Sequence, residues 1–511
     1  MKNILNFIFN RLTIVVLLLL IQGAVLVLVI WHLSESFTYV YGAFLLLSFL
    51  ITLSIIRSST NPSFKLSWVI FVMLIPVFGG LFYLMFAKVK HPKKMRVKME
   101  NNKNKFLSLY PQNEDIIKKI EIENKAVAGQ CKYIKNVAKM PCYENTSTKF
   151  YSLGEHFFVD LKNELLQAKK YIFLEYFIIH EGIMWDEIVE ILKVKASEGV
   201  DVRLIYDDAG SINLVPNNYE KILAGFGIKA FAFNPFIPAL SIFIQNRDHR
   251  KIAVIDGHTA FTGGINLADE YINAYEKHGH WKDCAVRLKG EAVYSMTLMF
   301  LENWNFHSNT DKSFDKYKED AYSIKQTNTK GYSQPYSDSP YDNENIGESI
   351  YINIFNNAND YIYINTPYLI INNEVATALI LAAKRGVDVR IVTPGIGDKP
   401  YVHFTTRSYY EQLIDGGVRI YEYTPGFIHA KTVVSDSLVA TVGTVNFDYR
   451  SLYHHFECGV FMYNTDAVIQ LEDDFVQMLS LCTEITKEYC KKQSYIKRMG
   501  QSIMRIVAPL M

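Results

Sequence analysis

The chain repeats itself, and that limits its fold more than any other feature does. Segment 168–177, AKKYIFLEYF, is matched by 358–367, ANDYIYINTP; 196–205, ASEGVDVRLI, by 383–392, AKRGVDVRIV; and 227–231, GIKAF, by 417–421, GVRIY. These matches recur at an offset of roughly 190 residues, the mark of a duplicated structural unit. In both copies a helical stretch runs into a glycine, Gly199 or Gly386, and a Val-Asp-Val-Arg run follows. That pattern predicts a helix closed by a left-handed cap and then a strand. From about residue 131 onward, short β-rich runs alternate with amphipathic stretches, which is the α/β pattern. The expected order is therefore two similar tandem α/β units, 131–307 and 346–485, with a linker rich in Ser, Asn, Asp, Lys and Tyr over 308–345.

The first hundred residues have a different texture and predict an α-helical membrane-anchoring region, 1–100. Residues 12–32 are almost uncharged and long enough to cross a hydrocarbon core of about 30 Å. A second apolar run covers 37–56, and a third, 66–87, carries Pro76 and the pair Gly79-Gly80. A cleaved leader fits poorly, because no small-residue cleavage site is present and further apolar runs follow at once. Lys2 and Arg11 precede the first run, Arg57 and Lys65 flank the loop after the second, and Lys88, Lys90, Lys93, Lys94, Arg96 and Lys98 follow the third. The positive-inside rule puts all three basic stretches on the cytoplasmic side, which three full crossings cannot satisfy. Two arrangements remain. The preferred one has two crossings and a broken third run that re-enters or lies in the interface, with the body cytoplasmic; the other has three crossings and the body outside. The basic stretch after the third run is either an ordinary flank or a landing site for anionic headgroups. At the other end, 486–511 mixes bases with apolar residues at helical spacing, consistent with an interfacial or a packed terminal helix. The apolar loop 236–244, present only in the first unit, reads either as core or as a segment that dips into lipid.

Each unit ends in the same constellation. The first has His249, Lys251 and Asp256, then Gly-Gly-Ile-Asn ending at Asn266; the second has His429, Lys431 and Asp436, then Gly-Thr-Val-Asn ending at Asn446. Both are H-x-K-x4-D, with the asparagine seventeen residues after the histidine. On a strand, residues two apart share a face, so each histidine points the same way as its lysine. An imidazole beside an ammonium and an amide suits a phosphodiester: the last two hold non-bridging oxygens, and the first attacks phosphorus or moves a proton. One such pattern arises by accident; two copies at equivalent places in an independently detected repeat do not. His180, His278, His403 and His454 have no partner at motif spacing and read as ordinary polar residues, while Glu175, aligned with Asn365, is either site-facing or structural.

These residues identify the chain as similar to the phospholipase D superfamily, whose paired H-x-K-x4-D motifs meet at one site between two α/β halves. More narrowly it resembles bacterial cardiolipin synthases, on LIPVFG at 74–79, the HRK core at 249–251, GGINLADEY at 263–271, GTVNFDYRS at 443–451 and APLM at 508–511. The resemblance implies phosphatidyl transfer between two phosphatidylglycerol molecules, giving cardiolipin and glycerol through a phosphohistidine. It implies His249 as nucleophile and His429 as acid/base, although the residues themselves do not separate the two. Lys251, Lys431, Asn266 and Asn446 would hold the phosphate. Asp283 and Glu457 would orient the histidines, and Asp256 and Asp436, part of the catalytic motif, would brace the scaffold. No cofactor or metal is implied, and the six cysteines show no metal-ligand spacing. The partners implied are phosphatidylglycerol and other anionic phospholipids within a bacterial cell membrane. Hydrolysis by the same intermediate, with water as acceptor, stays open. A nucleic-acid enzyme is disfavoured by a balance of 53 Lys+Arg against 52 Asp+Glu and by the apolar amino terminus.

Overall fold

The computed structural model describes residues 38–86, 93–111, 113–235, 246–308, 310, 311, 313–323, 329–341 and 344–510, with scattered residues between 17 and 32. Part of the first apolar run, residues 88 and 90, and the loop 236–244 lie outside the described residues.

The first unit supplies β1 (Thr146–Tyr151), β2 (Tyr171–Tyr176), β3 (Asp201–Asp207), β4 (Lys229–Phe233), β5 (Lys251–Ile255), β6 (Thr259–Gly263), β7 (His280–Lys282) and β8 (Ala285–Gly290). Seven of these form a sheet in the order β1-β8-β6-β5-β2-β3-β4. The second unit supplies β9 (Tyr332–Asp338), β10 (Tyr361–Asn365), β11 (Leu369–Ile370), β12 (Asp388–Pro394), β13 (Arg419–Tyr423), β14 (Gly426–Ile428), β15 (Thr432–Ser435), β16 (Val439–Gly443), β17 (Phe447–Asp448), β18 (Glu457–Tyr463) and β19 (Cys482–Ile485). Its sheet runs β9-β18-β16-β15-β10-β12-β13-β19, the first order repeated with one extra edge strand. In both sheets three strands are parallel (β2-β3-β4 and β10-β12-β13) and the motif strand, β5 or β15, pairs antiparallel beside the first of them. Helices Ile183–Ser197 and Asn373–Lys384 make the crossovers, and Gly199 and Gly386 follow them at φ of +88° and +99°, conformations that favour glycine. One cluster of buried apolar residues joins Phe173, Ile252 and Val254 of the first sheet to Ile362, Val434 and Val460 of the second.

Two features depart from the expected boundaries. The polar stretch 308–345 holds helix Asp315–Tyr322 and strand β9, which is the edge of the second sheet rather than a linker. Its polar residues hide the strand, because buried Gln334 spends its amide on the carbonyls of Cys131 and Met140 instead of packing an apolar face. The third apolar run is not one helix. It breaks at Ile75 before Pro76 into helices Pro62–Leu74 and Pro76–Phe86, which lie side by side with Trp68 against Tyr83 at 5.3 Å and Phe71 against Phe82 at 6.1 Å. Gly79 permits the turn: a Cβ there would lie 2.7 Å from Val72 Cα. Among the described residues no helix is long and apolar enough to cross a membrane.

Asp256 and Asp436 stand where the motif strands end. Asp256 accepts the backbone N–H groups of Lys169, Lys170 and Tyr171 at 2.7–2.9 Å, and Asp436 those of Asn359, Asp360 and Tyr361 at 2.9–3.0 Å. Each carboxylate thus pins the start of the neighbouring strand. Replacing Asp256 by Ala leaves the buried Tyr171 N–H without a partner, at about 1–3 kcal/mol, and frees two part-buried donors besides. The melting temperature of Asp256→Ala is therefore expected to fall, with kcat per folded molecule within about twofold of wild type; a collapse of kcat at unchanged stability would put this carboxylate in the chemistry instead.

Candidate active site

The segments just before the motif strands are extended and pair with the opposite unit. Asp248 bridges Phe456 in parallel; His249 N–H donates to the Phe456 carbonyl at 3.0 Å, and Phe456 N–H donates to the Arg247 carbonyl at 2.9 Å. In the mirror arrangement β14 runs parallel to β7, and His429 N–H donates to the Lys282 carbonyl at 2.7 Å. Phe456 and Lys282 each precede an acid, Glu457 or Asp283. The pairing therefore delivers each acid to the histidine of the other unit. His249 Nδ1 lies 2.9 and 3.0 Å from the two oxygens of Glu457, and His429 Nδ1 lies 2.7 Å from Asp283 Oδ2. All four side chains are buried.

A carboxylate on Nδ1 selects the tautomer with the proton there and leaves Nε2 with its lone pair. Burial lowers His249 well below the usual imidazole range, Glu457 opposing and Lys251 adding to it. Burial and then Lys431 bring His429 down to about 4, against the pull of Asp283. Burial would raise both acids, but the histidine beside each outweighs it, and the Glu457 and Asp283 carboxyls are held below the carboxylate range. Burial, followed by the charge of Lys431, brings Lys251 down to about 7; burial brings Lys431 down to about 8. Both ammonium groups donate to the carbonyl of their own motif histidine, Lys251 at 2.7 Å. Two buried cations facing one cleft form a receptor for an anion that neutralises them.

The two sides differ in detail. Glu457 also accepts from the hydroxyls of Thr444 and Ser451, whereas Asp283 accepts from the Cys284 N–H at 2.7 Å. Gly264 occupies the place of Thr444, and a Cβ there would fall 2.0 Å from Asp283 Oδ1. The residues expected to hold phosphate are Asn266 and Asn446, both buried. Asn266 accepts from Ile178 N–H at 3.0 Å and donates to the Tyr271 hydroxyl at 2.7 Å, while the side-chain oxygen of Asn446 has no hydrogen-bond partner among the described residues. Eight of the ten residues singled out from the sequence thus lie in or against this cleft, and Asp256 and Asp436 lie at the far ends of the motif strands.

Sequence reasoning gave no role to His455, whose ring is 5.3 Å from His249 and whose Nδ1 is 3.6 Å from Glu457 Oε1. It also missed Phe177 beside His249 at 5.1 Å, and Tyr271 and Trp281 beside His429 at 5.5 and 5.6 Å. None has a partner at motif spacing, so no local pattern could have signalled them. His249, His455 and Glu457 offer ligand atoms within 4.8 Å of one another, but the Glu457 oxygens are already committed to one imidazole and two hydroxyls. Glu175, the other open reading, pairs with buried Arg250 at 2.6 Å behind the motif.

A duplicated α/β body whose halves each lend a His-Lys pair and a carboxylate to one cleft defines the phospholipase D class of phosphoryl-transfer fold. Comparison with known proteins carries this further. The family model described as "Cardiolipin synthase, PLD-like domain" matches residues 161–283 and 351–479, and one described as "Phospholipase D-nuclease N-terminal" matches 46–88. Cardiolipin synthase 2 of Bacillus cereus is 34% identical over 91% of this chain and 90% of its own length. The cardiolipin synthase of Halalkalibacterium halodurans is 32% identical over 98% of this chain and 100% of its own. The crystal structure of the phosphatidylserine synthase of Haemophilus influenzae shares the fold, with a TM-score of 0.57 at 15% identity over 75% of this chain and all of that one. The chain belongs to the phospholipase D-like cardiolipin synthase family.

Two outcomes follow from the geometry. Glu457→Gln and Asp283→Asn keep the shape of each pair but remove the charge that selects the tautomer. Each is expected to lower kcat by about 10⁴-fold in steady-state assays with little change in folding. The positive charge of the two cleft lysines is lost as pH rises through about 7 to 8. kcat/KM is therefore expected to fall between pH 7 and pH 9, because the free enzyme's groups govern that parameter; a flat profile would contradict it.

Proposed function

We propose that the chain is a membrane-bound cardiolipin synthase that moves a phosphatidyl group from one phosphatidylglycerol to another. In the first step the anionic phosphodiester seats beside His429, which takes up a proton at Nε2; His249 Nε2 then attacks phosphorus, the bond to the leaving glycerol oxygen breaks, and His429 gives that oxygen this proton. In the second step the free hydroxyl of another phosphatidylglycerol loses its proton to His429 and attacks phosphorus, and the P–N bond breaks. Cardiolipin, glycerol and the starting enzyme result. Lys251, Lys431, Asn266 and Asn446 hold the phosphate oxygens, while Glu457 and Asp283 orient the rings and stabilise the imidazolium that forms. The observation that carries this reading is the crossed pair of buried imidazole–carboxylate bonds, 2.9 Å and 2.7 Å, each made between the two units.

The setting is the bacterial cell membrane. We read 12–32 and 37–56 as crossings, the hairpin 62–86 as re-entrant or interfacial, and the catalytic body as cytoplasmic. Supporting this are the apolar runs, the fold-back at Pro76 and the basic stretches at their cytoplasmic ends. A substrate that never leaves the bilayer requires an enzyme held beside it.

Reconstitution in phosphatidylglycerol vesicles, with products followed by mass, tests the reaction. Wild type is expected to yield cardiolipin and glycerol, and His249→Ala and His429→Ala to yield neither. Phosphatidic acid in place of cardiolipin would make water the acceptor. Digestion of acid-sensitive adducts trapped at short times is expected to map the phosphatidyl group to the peptide containing His249; a mass increase on the His429 peptide instead would exchange the two roles.

A further inference from the structure

Helix Tyr495–Val507 is strongly amphipathic and is mounted with its apolar face outward. Its polar side docks on the body: Arg498 pairs with Glu411 at 3.1 Å, Arg505 donates to Gln412 at 2.6 Å and lies 4.4 Å over the Tyr409 ring, and Gln501 is buried. Gly500 faces Phe404, close enough that a Cβ would stand 3.3 Å from the ring. On the opposite side Tyr495 and Ile496 are 81% and 75% exposed, with Met499, Ile503 and Val507 exposed along the same face. A helix of a water-soluble surface does the reverse, burying its apolar stripe and solvating its charges.

The same helix is joined to the amino-terminal region. Ser67 of helix Pro62–Leu74 donates to the Ile506 carbonyl at 2.5 Å, and that helix exposes Leu66, Met73 and Leu74. The two helices are therefore direct neighbours, and each leaves apolar side chains exposed. Around them the segment 487–511 carries Lys487, Lys491, Lys492, Lys497, Arg498 and Arg505 against one acid, Glu488.

We propose that helix Tyr495–Val507 lies in the plane of the bilayer and, with helix Pro62–Leu74, seats the second unit on an anionic lipid surface. Contact with the apolar hairpin and the excess of bases select a lipid interface over a protein partner. The catalytic cleft is thereby held at a fixed height and tilt above the headgroups it draws from. The inference deepens the membrane reading proposed above, and its principal measurement does not depend on the reaction.

The full chain carrying Ile503→Cys with an environment-sensitive fluorophore is reconstituted in phosphatidylglycerol/phosphatidylcholine vesicles. Some of these contain lipids with a nitroxide quencher near the headgroup. Strong quenching is expected at 503, and none at a control label on Ile222→Cys of the first unit, after subtraction of label on the native cysteines. Quenching at 503 no greater than at 222 would overturn the proposal, as would shielding from water that vanishes on dilution of the protein, because a second copy would then cover the face. The pair Met499→Asp and Ile503→Asp is expected to cut turnover on vesicles by about tenfold or more while leaving turnover of dispersed short-chain phosphatidylglycerol unchanged. Equal losses on both substrates would mean a folding role. If vesicle binding of this helix is seen but no cardiolipin forms, the surface stands and the reaction falls.

Discussion

Two hydrogen bonds that cross between the units, His249 with Glu457 and His429 with Asp283, are what the rest of the molecule is arranged to make. Neither unit contains a complete histidine–carboxylate pair of its own. The short parallel pairings of 247–249 with 456 and of β14 with β7 bring the pieces together, and they form only when both sheets are folded and share their core. Folding and assembly of the site are therefore one event. Duplication accounts for the symmetry: each unit sends one carboxylate to the histidine of the other, so the two complete each other.

The electrostatics of the cleft follow from burial. Two carboxylates, two imidazoles and two ammonium groups sit where water does not screen them, and the carboxylates remain anionic because an imidazole and hydroxyl or amide donors surround them. The lysines pay for this arrangement with lowered proton affinity, and a bound phosphodiester offsets their mutual repulsion. The same balance favours a neutral imidazole with its Nε2 free before substrate arrives. Differences between the halves are local: Thr444 and Ser451 secure Glu457, whereas Gly264 makes room for Asp283.

Much of this was legible in the sequence because it is local. The repeat, the helix–glycine–strand units and the His-Lys spacing are patterns of a few residues, and both copies fold alike. Which acid serves which histidine was not legible, since the partners are 208 and 146 residues apart and the pairing depends on how two sheets meet. His455, Phe177 and Trp281 escaped for the same reason, having no counterpart at motif spacing. Strand β9 was hidden because several of its buried residues are polar, Gln334 among them with its amide on two backbone carbonyls. The hairpin at Pro76 was foreshadowed by its proline and glycines, though their partner, Val72, was not.

The central claim is that two histidines act in sequence on opposite sides of one phosphorus atom. The most direct test is stereochemical: phosphatidylglycerol made chiral at phosphorus with sulfur and oxygen isotopes is converted to product, and the configuration of the product is determined. Two in-line displacements through a phosphohistidine predict retention. Inversion would mean that the second alcohol attacks the lipid directly, and no covalent histidine intermediate would lie on the path.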